Sequence, residues 1–247
     1  MLSGFLALLA TVSPLQQGPT MHYRITLKAS RNIDRTANGE EALSGAYTAV
    51  AFVTATTTME SGGRVGHVVI DSVSCKGTGV MAEAYDTIVG RRSRGARYDF
   101  PIGLRLEVIP VPTITNTLTN TLAQTALMLF PNVSAGATVG TTWFDSLDTS
   151  PMTDPSARNR PIITRWRVTS AVADSTVAEG DVRGTLSSMG RMTSTGLIAG
   201  SRHLTVVSGE LRLQTSTTNT QTLMAPEGAT AITVGTATTT LEIIAIP

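Results

Sequence analysis

Three histidines, one cysteine and 18 acidic side chains are the groups from which this 247-residue sequence could build acid–base, nucleophilic or metal chemistry. His22, His67 and His203 lie far apart in the chain, and none has a second ligand at the spacing of a zinc helix or hairpin site. They read as separate surface histidines. Cys75 closes the alternating run Val69-Ile70-Asp71-Ser72-Val73-Ser74-Cys75 without a neighbouring base or cation to lower its thiol pKa. It reads as a small buried hydrophobe and, being single, forms no internal disulfide. The stretch Gly90-Arg91-Arg92-Ser93-Arg94-Gly95 has the wrong spacing for a nucleophile elbow, and no glycine-rich loop that would cradle a phosphate precedes a helix. Glu40 and Glu41 fall in a predicted turn, and Asp145 and Asp148 at a predicted strand end. A carboxylate pair for glycoside hydrolysis needs a defined separation across a cleft, which these positions do not specify. The expectation is a nonenzymatic protein with no catalytic, cofactor-binding or metal-binding residue.

The densest charge feature is Arg91, Arg92, Arg94 and Arg97, four cations within seven residues. Such a cluster could contact phosphate, lipid headgroups or an acidic partner. The chain around it carries only 4% aromatic and 15% charged residues and a formal charge of +1, from 19 basic and 18 acidic side chains. No global field exists to hold a polyanion, so a solvated hairpin loop is the expectation and nucleic acid is not an expected partner. The triplet Asn132-Val133-Ser134 matches a glycosylation acceptor, a pattern too short to carry weight.

The elements that must position these groups are mainly strands. About 40 threonines and 41% hydrophobic residues suit pleated, half-buried surfaces, and the total is enough for a sizeable core. Alternation predicts strands near Tyr23 to Lys28, Ala46 to Met59, Arg64 to Val73, Leu104 to Ile109, Thr138 to Phe144, Ile162 to Ala171, Thr176 to Leu186, Leu204 to Gln214 and Ala231 to Ile246, about ten in all. Asp34 to Gly39 reads as a turn. The threonine-rich stretches 215–222 and 236–240 keep strand-like alternation nearby and are not read as disordered. One interval follows a different period: Ile114, Leu118, Leu122 and Leu129 share one side of a helix, with Asn116 and Asn120 opposite. A helix near 114–130 is predicted, bounded by Pro110, Pro112 and Pro131, and dependent on docking its apolar side against the sheet. The polar, turn-rich stretch 150–161 reads as a surface loop.

Residues 1–20 read as a signal or leader segment. A short apolar run, Met1 to Val12, is too short to cross a bilayer and is followed by Ser13-Pro14 and Gln16-Gln17-Gly18-Pro19. Residues 21–247 then form a single antiparallel β domain, because the mid-chain helix needs strands from both sides to cover it. The architecture expected is a large curved sheet or half-barrel of about ten strands, with one helix packed on its concave face.

The passage Phe130-Pro131 to Val139-Gly140-Thr141-Thr142-Trp143 resembles the "proline, short spacer, Val-Gly-x-x-Trp" passage of exported bacterial β domains of the domain of unknown function 6263 type. Tyr23-Arg24-Ile25, Ile70-Asp71-Ser72-Val73 and Val207-Ser208-Gly209-Glu210-Leu211 accompany it. Thr141 departs from the pattern, as does the lack of a lipid-anchor cysteine. Those domains resemble half-barrel lipoprotein carriers and lipocalin-like folds in outline. The resemblance implies a periplasmic or extracellular protein of the cell envelope and supplies no catalytic residues. Two functions follow as expectations: a noncatalytic carrier of a lipid or other apolar ligand, or a structural or accessory subunit of an envelope assembly with a protein partner. Trp143 reads as a core anchor, with ligand stacking as the alternative. No transmembrane span is expected.

Overall fold

Alternation of small or β-branched side chains with polar ones builds ten strands in the computed structural model, which describes residues 18–60, 63–79, 94–134 apart from 103–124, 136–147, 162–188, 192–226 and 232–247. They are β1 (Met21–Asp34), β2 (Leu43–Glu60), β3 (Gly63–Gly79), β4 (Arg97–Ile102), β5 (Thr142–Leu147), β6 (Ile162–Val172), β7 (Ser175–Ser188), β8 (Met192–Val207), β9 (Glu210–Pro226) and β10 (Thr233–Ile246). All pair antiparallel in one open, curved sheet of order β4-β3-β2-β1-β10-β9-β8-β7-β6-β5.

This order is two meanders joined at the centre. The first runs outward from β1 to the edge strand β4. The chain then crosses to the opposite edge and returns inward from β5 to β10, which pairs with β1 over thirteen residue pairs, His22 with Ile246 through Asp34 with Val234. Extra residues at Asp71, Thr169 and Arg212 form bulges against β2, β7 and β8. Each bulge increases local twist and bends its strand, which helps a sheet this wide to curl.

Period-two alternation sorts the side chains into an inner and an outer face. Tyr23, Ile25 and Leu27 of β1, Ala49, Ala51, Val53 and Ala55 of β2, Val68 and Ile70 of β3, Leu204 and Val206 of β8 and Leu241 and Ile243 of β10 are buried together on the inner face. The described end of the predicted helix docks there too. Residues 125–127 are helical, Ala126 and Leu129 join the core, and the Phe130 ring lies over Gly66 of β3, where a Cβ would come within 2.7 Å of it. The rest of that helix, Ile114 to Gln124, lies outside the described residues, as do the leader, the strand predicted at 104–109 and the loop at 150–161.

Several predicted boundaries are corrected. Leu204 to Gln214 is not one strand: Ser208 and Gly209 take φ of 53° and 80° and form the two-residue turn between β8 and β9. Left-handed conformation at both positions is what a tight hairpin matching strand twist requires. Residues 138–141, assigned to a strand, instead form a turn before β5, with Gly140 at φ 92°. Residues 192–203 and Arg97 to Ile102, assigned to no strand, belong to β8 and β4. The threonine-rich stretches do pair: Thr217 lies opposite Thr240, Thr218 opposite Thr239 and Asn219 opposite Thr238.

Candidate functional site

The inner face changes character from one side of the sheet to the other. Along one cross-strand row, Trp143 of β5 faces Trp166 of β6, which faces Gly180 of β7, then Arg202 of β8, Ser216 of β9 and Leu241 of β10. The two indoles stack with ring centroids 5.8 Å apart and planes 14° from parallel. Trp166 is buried and Trp143 half-buried against the core. Gly180 makes this packing possible, since a Cβ there would lie 2.9 Å from the Trp166 ring and 2.8 Å from the Thr164 methyl.

Asp145 stands two residues beyond Trp143 on the same face, and its Oδ2 accepts a 2.6 Å hydrogen bond from Trp166 Nε1. Burial pushes its carboxyl above the ordinary carboxylate value, and the Trp166 bond, the Arg202 charge and the Trp143 N–H pull it partly back. Arg202 feels the reciprocal effect: burial lowers its affinity for the proton and Asp145 restores part of it. Arg202 Nε and Trp143 Nε1 are nevertheless buried without a hydrogen-bond partner of good geometry, as is Tyr98 Oη near the β4 edge. A buried donor left unpaired costs roughly 1–3 kcal/mol, and the Trp143 N–H recovers part of that by its pull on the Asp145 carboxylate. The opposite part of the face is lined by Ile25, Leu27, Val53 and Ile70, all nearly inaccessible.

The outer face carries the histidines. His67 Nδ1 donates to Asp99 Oδ1 at 2.7 Å, and its Nε2 lies 2.7 Å from Thr58 Oγ1. With neutral His67, the Thr58 hydroxyl donates to Nε2, an order of groups that in an enclosed site activates a hydroxyl nucleophile. Here Asp99 is 68% exposed, and none of the three residues lines the groove around Arg165 and Glu179 or the one around Arg31 and Thr78. Nearby, Thr54 donates to Asp71 at 2.8 Å and His22 Nδ1 reaches Thr54 Oγ1 at 3.1 Å. His22 and His67 therefore belong to two separate polar clusters on the outer face, and His203 lines an open groove of about 580 Å³ with Arg165, Arg167, Glu179 and Asp181.

The remaining sequence-selected residues are dispersed. Cys75 is buried on the inner face. Arg94 is exposed in a turn and Arg97 opens β4, whereas Arg91 and Arg92 lie outside the described residues, as does Asp148. Glu40 pairs with Arg35 beside the short 3-10 helix Thr36–Asn38. Asp145 is not a strand-end carboxylate: it sits within β5 and faces inward. Sequence reasoning missed Trp166 and Arg202. The alternation Arg165-Trp166-Arg167, which sends the ring to one face and both cations to the other, was the available signal for the first.

No protein-family model matches the chain, and no curated protein is similar to it.

Proposed function

We propose that this chain is a noncatalytic, exported envelope protein that carries a lipid or other apolar ligand between its inner sheet face and the segment 125–134 that packs on it. The observation that carries this reading is the composition of that face. An apolar field adjoins two stacked tryptophans, a half-buried carboxylate that they hydrogen-bond and an arginine whose Nε is buried without a partner. Ligand sites are mostly apolar with a few placed polar groups, and this face has that mixture. The Thr58–His67–Asp99 relay lies on the outer, solvated face, where it serves as a cross-strand link. Export rests on the apolar leader and on the resemblance to exported β domains.

Native mass spectrometry of the protein purified from its own source tests the reading. A retained small apolar molecule, released on unfolding, is expected. A ligand-free mass together with a stoichiometric protein partner would replace it with the accessory-subunit reading. Leu197, Leu223 and Ile232, exposed on the outer face near one end of β8 to β10, are the surface that such a partner would cover.

A further inference from the structure

We propose that the open groove on the outer face binds a phosphate–ammonium zwitterion of the phosphoethanolamine type, with the phosphate on Arg165 and Arg167 and the ammonium on Glu179. This site is independent of the inner face and of the carrier reading. The groove, of about 580 Å³, crosses β6 to β9 on the face opposite the tryptophans. In register, Arg165 stands opposite Asp181 and Arg167 opposite Glu179. Opposite charges so placed ordinarily attract one another across the strands. Here neither pair closes: Asp181 Oδ2 accepts instead from Arg183 Nε of its own strand at 3.0 Å, and the side chains of Arg165, Arg167 and Glu179 make no hydrogen bond or ion pair. Elsewhere on the same face Arg24 reaches Glu242 at 3.6 Å, although those two are only diagonal neighbours.

The layout of charge selects the ligand. Arg165 and Arg167 occupy alternate positions of β6, roughly 7 Å apart along the strand. The diverging oxygens of a tetrahedral phosphate reach both, whereas the close oxygens of a carboxylate suit a single guanidinium fork. β7 lies roughly 5 Å to the side. Its Asp181 is engaged by Arg183, which leaves Glu179 as the free acceptor for an ammonium. A phosphate ester with an ammonium two carbons away spans that distance. Plain phosphate would meet the Glu179 charge uncompensated, and a plain amine would meet two guanidiniums. Ser201 and Thr217 line the groove with neutral hydroxyls. At its border Phe144, opposite Arg165, and Ile163, the next residue of β6 on that face, are 50% and 44% exposed, an apolar margin for the acyl chains of a lipid with this head group.

Proton NMR of the histidine rings tests the site, because His203 lines the groove while His22 and His67 lie elsewhere on the outer face and serve as internal pH controls. Phosphoethanolamine, inorganic phosphate and ethanolamine are each titrated into the full-length protein at fixed pH and ionic strength. Phosphoethanolamine is expected to shift the His203 signals saturably, leave the other two unmoved, and bind roughly tenfold more tightly than phosphate or ethanolamine, the value of one charge-assisted contact. Arg165→Gln with Arg167→Gln should abolish the shift. Glu179→Gln should weaken phosphoethanolamine severalfold and strengthen phosphate, a reversal that a merely basic patch would not give. All three side chains are exposed, so the variants should fold. Sedimentation with phosphatidylglycerol vesicles that is enhanced by phosphatidylethanolamine, and competed away by phosphoethanolamine, would assign the zwitterion to a lipid; no such enhancement, with the His203 shift retained, would assign it to a free ester. Phosphate binding as tightly as phosphoethanolamine and unaffected by Glu179→Gln would overturn the proposal, as would a His203 signal that none of the three probes moves.

Discussion

Two polar clusters in this sheet use similar groups to different ends. On the outer face, Thr58, His67 and Asp99 span β2, β3 and β4 with water at their edges, so each lost contact is replaced by solvent. On the inner face, Trp166 is buried and Trp143, Asp145 and Arg202 are half-buried, with little solvent at their polar atoms. The outer cluster is complete in hydrogen bonds and contributes little to stability. The inner one is incomplete and sits in the expensive place. Burial rather than residue type separates the two clusters, because an unpaired polar group is costly only where water is excluded.

The comparison breaks most visibly at Trp166. Trp166→Ala removes a buried ring, its stack with Trp143 and the donor to Asp145, and is expected to cost about 3 to 5 kcal/mol in denaturant unfolding. A loss under about 1 kcal/mol would show that the inner cluster is not part of the core. On the apolar side, Leu129→Ala should cost about 2 to 5 kcal/mol, since Leu129 is only 2% exposed where segment 125–134 meets the sheet. A surface-sized loss there would mean that this segment is not docked.

Asp145 sharpens the comparison through pH. Its pKa in the fold lies above that of the unfolded chain, so the folded state holds its proton over a range in which the unfolded state has released it. Ionisation therefore weakens the fold as pH rises through that range, and acidification removes the penalty. Relative to Asp145→Asn, which does not titrate, the wild type should gain stability as the pH falls from about 7 towards about 4, the carboxylate range. The opposite trend in paired denaturant melts would mean that the carboxylate is stabilised rather than desolvated. The smallest effect is expected at His67→Ala. Losing its links to Thr58 and Asp99 on the exposed face should cost about 1 kcal/mol or less at neutral pH.

Much of the architecture was legible because threonine-rich alternation is a strong strand signal. The strands around Tyr23, Ala51, Ile70, Val168 and Ile243, the Asp34 to Gly39 turn and the burial of Leu129 against the sheet follow from periodicity and turn residues. Boundaries failed where the decisive signal was two residues long. Ser208-Gly209 broke an apparently continuous strand, and the Gly140 turn delayed the start of β5. The inner cluster was almost illegible. Trp143 and Arg202 are 59 positions apart and come onto one row only through the registers of β5 to β8, which no local pattern specifies. Asp145 looked like a terminal carboxylate because the residues after it are polar. The histidine contacts were hidden for the same reason: His22 and His67 each bond a different threonine, Thr54 and Thr58, of a strand that neither occupies.

The central proposal is that the inner face carries a lipid or other apolar ligand beside the tryptophan pair, and fluorescence addresses it directly because the chain's only two tryptophans are Trp143 and Trp166. Titration with a monoacylglycerol brominated along its chain should quench their emission in a saturable manner, and the unbrominated lipid should compete the quenching away. Emission that stays unchanged while the protein remains folded, or quenching that rises linearly without saturation or competition, would contradict the claim.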